Sequence, residues 1–184
     1  MYDELEDALA SITMQLRSAI QADARKANGA SDPLHGDSAW TRQITAELGS
    51  ILLGTLGLAA TIDWHAQQFQ KCTGILCELT VNAAAGSELP RHHATTVFDV
   101  YNEALSNVAR HAAANRVAIA LTITPSEVTM AVRDDGVGLA ADAASASQGG
   151  IAGIRARAET HNGVCQVAGT RKLGTTVTVS LPIP

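Results

Sequence analysis

Apolar residues recur near the start of the chain at Tyr2, Leu5, Leu9, Ile12, Leu16 and Ala19, alternately three and four positions apart. That heptad seam predicts a helix burying one narrow face against other helices. Between Ala27 and Ser38 the period stops, and Asn28-Gly29 and Asp32-Pro33 mark turns. A second series, Trp40, Ile44, Leu48, Ile51 and Leu52, runs past Gly54 and Gly57 through Leu58, Ile62 and Phe69. Residues 1–72 therefore read as a helical hairpin. A strict seam is buried best against a second copy, so the expectation is a four-helix bundle at a homodimer interface. The alternative is a monomer whose hairpin packs on the rest of the chain.

From Thr73 the period changes from helical to alternating. Ile75, Cys77, Leu79 and Val81 predict a strand. Residues 91–114 read as a helix with Val97, Tyr101, Ala104, Leu105, Val108 and Ala112 on its apolar face. Val117, Ile119, Leu121 and Ile123 form a second alternating strand. Pro125-Ser126-Glu127 turns it into a third, with Val128, Met130 and Val132, ending at Asp134. A helix over 151–161 follows. A strand through Val164 and Val167 and a last strand over 175–181 complete the order. Such an order predicts an α+β fold over 73–184, with helices on one face of a largely antiparallel sheet.

Composition narrows this picture. In 184 residues, 46% hydrophobic but only 3% aromatic, the core must be built from Ala, Val, Leu and Ile. The net charge of −5 argues against a general nucleic-acid binder. Cys72, Cys77 and Cys165 show no paired spacing, and a reducing cytoplasmic compartment with three small buried side chains is the expectation. No apolar run reaches the ~20 residues of a membrane span. The abrupt start within a helical pattern suggests the soluble end of a longer protein.

Two glycine-rich turns carry the candidate chemistry. Asp134-Asp135-Gly136-Val137-Gly138 joins an acidic pair to glycines that permit close backbone approach, and Gly150-Ile151-Ala152-Gly153-Ile154 follows. Between them the Ala/Ser tract 140–147 reads as a mobile loop. On the helix before them, Glu103, Asn107 and His111 fall at i, i+4 and i+8 on one stripe. That set could hold a cation or polarise a water, or could form a plain solvated face. One Asn oxygen suffices for Mg²⁺, which keeps waters and substrate phosphates as its other ligands.

Taken in order, these segments resemble the ATP-binding boxes of sensor histidine kinases. Residues 102–112 are similar to their N-box, 134–138 to the first glycine box and 150–155 to the second. Residues 174–182, Gly-Thr-Thr-Val-Thr-Val-Ser-Leu-Pro, resemble the closing Gly-Thr motif. The same fold serves gyrase, Hsp90-type chaperones and mismatch-repair ATPases, and the nearest resemblance is to the nitrate-sensor-like kinases. It implies ATP and Mg²⁺ as ligands, with Asp134 accepting from the adenine amino group and Asn107 on Mg²⁺. Glu103 would orient or deprotonate the attacking group. Gly136, Gly138, Gly150 and Gly153 would let backbone close on the nucleotide. Thr175 would lie beside the adenine and His111 near the phosphates, with 140–147 as a lid.

The hairpin resembles the family's dimerisation and phosphoacceptor domain more loosely. The family expects Glu-Leu-His-Asp on the first helix, whereas this chain reads Glu4-Leu5-Glu6-Asp7. Glu6 thus stands at the phosphoacceptor position, beside Asp7. A carboxylate there cannot form the stable phosphoramidate that the family passes on. The resemblance implies a cytoplasmic kinase core partnered by a response regulator with a DNA-binding output domain, and an upstream sensor domain beyond this chain. Two other readings stand beside it: a nucleotide-binding pseudokinase scaffold, and a serine kinase of the anti-sigma-factor type.

Overall fold

The structure, a computed structural model, describes residues 49, 52–84, 89–138 and 150–183. The first-helix seam with Glu6 and Asp7, the loop over 27–38, the second series before Leu52 and the tract 140–147 lie outside them. The expected bundle cannot therefore be read from the described residues. The chain divides into two compact units, 1–55 and 56–184. In the first, residues 52–55 are helical and the Thr55 hydroxyl donates to the Leu52 carbonyl at 3.4 Å.

The second unit begins with helix α1, Gly57–Thr73, which ends at Gly74. Gly74 takes the left-handed φ of 74° and donates its N–H to the Gln70 carbonyl, a glycine C-cap. Strand β1 (Leu76–Ala83), helix α2 (Arg91–Asn107) and a π-helical turn (Val108–Ala112) follow. Next come β2 (Arg116–Ile123), β3 (Glu127–Asp134), α3 (Gly150–Glu159), β4 (Val164–Gly169) and β5 (Thr175–Pro182). The five strands form one sheet in the order β1-β2-β3-β5-β4. β1 runs parallel to β2, and every other neighbour is antiparallel.

Alternation decides which face is covered. Val117, Ile119 and Leu121 on β2, Val128, Met130 and Val132 on β3, and Val177, Val179 and Leu181 on β5 are buried beneath the helices. The small and hydroxylic side chains between them, such as Ala118, Thr129 and Thr178, point the other way and are exposed or half-buried. From above, α2 contributes Val97, Tyr101, Ala104 and Leu105, the π turn contributes Val108, and α3 contributes Ile154 and Ala158. This is the expected α+β arrangement, with the apolar face of α2 as read from its periodicity.

Three details differ from expectation. The α-helix stops at Asn107 rather than running to 114, and a π turn carries the chain to Ala113, where φ is +48°. Leu76, Val81 and Val164 are exposed: Leu76 and Val164 pair with Arg116 and Ser180 on the face away from the helices, and Val81 lies toward the end of the edge strand β1. The cysteines are not all interior: Cys72 is exposed on the last turn of α1, and Cys77 and Cys165 are half-buried.

Helix α1 is tied to α2 through the Tyr101 hydroxyl, which is shared between His65 Nδ1 at 3.1 Å and the Ile62 carbonyl at 3.5 Å. The His65 ring meets Tyr101 and Phe98 edge-on, with centroids 5.3 and 5.9 Å apart. Burial holds His65 neutral, with its pKa lowered to about 4.

Candidate functional site

A cavity of about 230 Å³ opens between the end of α2, the π turn and the C-terminal end of β3. Its floor follows from register. Val132 on β3 pairs with Val177 on β5, which pairs with Val167 on β4. Three valines thus lie in a row across three strands and line the cavity. Ala104, Val108 and Ala112 form the opposite wall. Small, flat, aliphatic walls on two sides suit a planar ring.

Asp134 interrupts this apolar surface. It lies two residues beyond Val132 on the same buried face and is 5% exposed. Its Oδ1 accepts from the backbone N–H of Gly136 at 2.8 Å and of Thr175 at 3.2 Å. Among the described residues nothing donates to Oδ2. A buried carboxylate with one oxygen anchored and the other unpaired is an acceptor held ready for a ligand donor.

Neighbouring backbone locks this carboxylate in place. A Cβ on Gly136 would lie 2.1 Å from the Ala112 carbonyl oxygen, and Val137 N–H donates to that same oxygen at 2.8 Å. Gly138 and Gly174 have φ of +72° and +80°. A Cβ on Gly138 would meet the Thr170 carbonyl oxygen at 2.0 Å, and one on Gly174 the Asp134 carbonyl oxygen at 1.9 Å. Lys172 N–H closes the contact by donating to the Val137 carbonyl at 2.8 Å. The first glycine turn and the turn over 170–174 are therefore one interlocked piece of backbone.

The two acids of the pair divide their work. Asp135 is exposed, and its Oδ1 accepts from Asn115 N–H at 2.8 Å and Arg116 N–H at 3.0 Å. The Arg116 and Asn115 amides hold its carboxyl below the usual carboxylate range. Asp135 fastens the start of β2 to the glycine turn, while Asp134 faces the cavity.

Asn107, His111, Asp134, Gly138 and Thr175 all line the cavity. The π turn brings His111 onto it, a widened turn of the kind that recurs at functional sites. Glu103 is half-buried one turn before Asn107 and is not among the lining residues. Gly136 braces the wall from behind. Gly150 opens α3, and a Cβ at Gly153 would meet nothing within 4 Å. Glu6 and Asp7 are outside the described residues. The valine floor and the turn residues 170–173 before Gly174 were not singled out from the sequence. The i, i+2, i+4, i+6 series Val128, Met130, Val132, Asp134 is the signal that could have found the floor.

Comparison with known proteins identifies the family of this fold. Residues 92–184 match the family described as histidine kinase-, DNA gyrase B-, and HSP90-like ATPase. Among curated proteins, the chain is 33% identical over 146 residues to the sensor histidine kinase NarS of Mycobacterium tuberculosis, across 77% of this chain and 33% of that protein. It is 31% identical over 142 residues to the sensor histidine kinase LiaS of Bacillus subtilis, across 77% of this chain and 39% of that one. The chain thus spans between a third and two fifths of the length of these relatives. Among solved structures, the histidine kinase domain of a blue-light activated histidine kinase from Erythrobacter litoralis has the same fold. Its TM-score is 0.65 at 18% identity, covering 98% of this chain and 93% of that one.

Proposed function

Because this chain belongs to the histidine kinase-, DNA gyrase B- and HSP90-like ATPase family, we propose that the cavity binds ATP with Mg²⁺ as the nucleotide site of a two-component sensor histidine kinase. The observation that carries this reading is the Oδ2 of buried Asp134, unpaired among the described residues, above a floor of three valines. An adenine ring fits between Val132, Val177 and Val167 on one side and Ala104 and Val108 on the other. Its exocyclic amino group donates to Asp134 Oδ2, and Thr175 flanks the same edge.

From the adenine end, the phosphates extend toward Asn107 and His111. The carboxamide oxygen of Asn107 is a hard donor of the kind Mg²⁺ accepts alongside phosphate oxygens and water. When bound, that ion neutralises charge on the phosphates during transfer. His111 offers a donor to phosphate oxygens. Amides opening α3, which starts at Gly150, attract anions through the helix dipole. Glu103 orients or deprotonates the attacking group from the turn before Asn107.

We assign residues 1–72 to dimerisation and to docking of a response regulator, and 73–184 to nucleotide binding. With Glu6 at the acceptor position, the chain as it stands does not form phosphohistidine there. The test is incubation with γ-labelled ATP and Mg²⁺. The expected result is no acid-labile label on the wild type and its appearance in Glu6→His. Label on a wild-type histidine contradicts the acceptor assignment. Glu6 also favours a second reading, a pseudokinase scaffold whose nucleotide tunes the shape of a partner complex. A labelled Glu6→His variant supports the kinase reading, and a silent variant that still binds ATP supports the scaffold.

A further inference from the structure

The site's neighbour on the far end of α2 is a cluster of imidazoles with no part in the nucleotide cavity. His92 and His93 stand in the first turn of α2, and His161 follows the end of α3. One ligand nitrogen from each lies within 4.8 Å of the other two. Ring centroids are 4.3 Å apart for His92 and His93, 5.1 Å for His92 and His161, and 5.2 Å for His93 and His161.

His93 is the most constrained of the three. It is 3% exposed, and its Nε2 bonds the Pro182 carbonyl of β5 at 2.9 Å. A carbonyl only accepts, so Nε2 carries the proton and Nδ1 presents a lone pair. That buried Nδ1 has no hydrogen-bond partner among the described residues. This is the state in which histidine ligates metals: one ring nitrogen donates to a carbonyl and the other is free to coordinate.

His161 is held as firmly by backbone. Its N–H donates to the Ala158 carbonyl at 3.1 Å, and Asn162 turns the chain with φ of +54°. Gly163 then packs so closely on β5 that a Cβ would meet Leu181 Cδ2 at 2.3 Å. The cluster therefore sits on rigid supports, with His92 exposed at its mouth. The C-terminal end of α3 favours a cation and offsets the opposing dipole at the start of α2.

We propose that His92, His93 and His161 form a three-imidazole Zn²⁺ site with a fourth coordination position open to water. Tetrahedral Zn²⁺ with Zn–N of about 2.0–2.1 Å needs its nitrogens about 3.4 Å apart. His92 and His161 reach that spacing from the present one by side-chain rotation, while His93 stays on Pro182. The neutral ligand set excludes Ca²⁺ and Mg²⁺, which require oxygen. Occupancy joins the start of α2, the helix bearing Glu103 and Asn107, to the turn that ends α3 and to β5.

The test is metal titration of the reduced, nucleotide-free 184-residue chain. Zn²⁺ is followed by competition with a chromophoric chelator and Co²⁺ by its visible spectrum. The expected result is one Zn²⁺ per chain, a Co²⁺ spectrum without thiolate charge transfer, and a rise in Tm on Zn²⁺ addition. His161→Ala should weaken binding by at least the roughly 10- to 100-fold that loss of an outer-shell partner costs, and His92→Ala/His161→Ala should abolish it. His92 is exposed and His161 half-buried, and the circular dichroism spectrum of each variant checks its fold. The proposal is overturned by sub-stoichiometric binding, by a thiolate band from Cys72, Cys77 or Cys165, or by a double variant that binds Zn²⁺ as the wild type does.

Discussion

Replacing Gly174 by Ala tests the interlocked turns at their tightest point. Two costs add there. The residue has φ of +80°, and a left-handed conformation costs a non-glycine residue about 1–2 kcal/mol. The new Cβ would also lie 1.9 Å from the Asp134 carbonyl oxygen, and overpacking against atoms that cannot rotate away costs about 1–3 kcal/mol more. Gly74→Ala is the matched control, because Gly74 has φ of +74° but a Cβ there meets nothing within 4 Å. The prediction is a loss of about 2–5 kcal/mol for Gly174→Ala against about 1–2 kcal/mol for Gly74→Ala, measured by urea unfolding followed by circular dichroism. Because the clash pushes on Asp134, affinity for a fluorescent ATP analogue should also fall in Gly174→Ala and hold in Gly74→Ala. Equal destabilisation of the two variants would refute the argument that close approach, rather than φ alone, requires glycine at 174.

Other consequences follow from single groups. His65 has a folded pKa of about 4 against 6.5 when free, so only the unfolded chain takes up its proton between these values. Stability is therefore full above pH 6.5 and falls as pH drops toward 4. At pH 4.5 the loss due to His65 is about 2.5 kcal/mol; in urea unfolding at pH 7 and 4.5, His65→Gln should lose less stability between the two pH values than the wild type by that amount, and an equal loss would contradict it. Tyr101→Phe removes the hydroxyl shared by His65 and Ile62 and should cost about 1–2 kcal/mol in urea unfolding, and a variant as stable as the wild type would contradict that tie. Asp135→Asn should leave ATP affinity within about threefold of wild type, since Asp135 faces backbone amides rather than the cavity. A loss as large as that in an Asp134 variant would refute the division of labour within the pair.

Most of the sheet was legible because its period is clean. Each buried position of β2 and β3 recurs at every second residue, and the apolar stripe of α2 recurs at helical spacing. What alternation cannot convey is strand order, since β5 inserts between β3 and β4. That insertion brings Thr175 to Asp134 and aligns Val132, Val177 and Val167. Asp134, Asn107 and His111 stood out by residue type, whereas the aliphatic floor did not, because core and binding valines look alike in a sequence. The π turn was hidden for a related reason: it depends on Ala112 meeting Gly136, a contact between distant segments. The histidine cluster was likewise invisible, as His161 is remote from His92 and His93 along the chain.

The central claim, that Asp134 Oδ2 reads the adenine amino group, is tested most directly by calorimetric titration of ATP and of inosine triphosphate, which carries a carbonyl in place of that amino group. Asp134→Asn keeps an oxygen for the Gly136 and Thr175 amides and places an NH₂ donor where Oδ2 stood. The account predicts that the wild type binds ATP more tightly than the inosine nucleotide by about 10- to 150-fold, the value of one hydrogen bond to a charged group, and that Asp134→Asn reverses the preference. Equal binding of the two nucleotides by the wild type, or an Asp134→Asn variant that still prefers ATP, would contradict it.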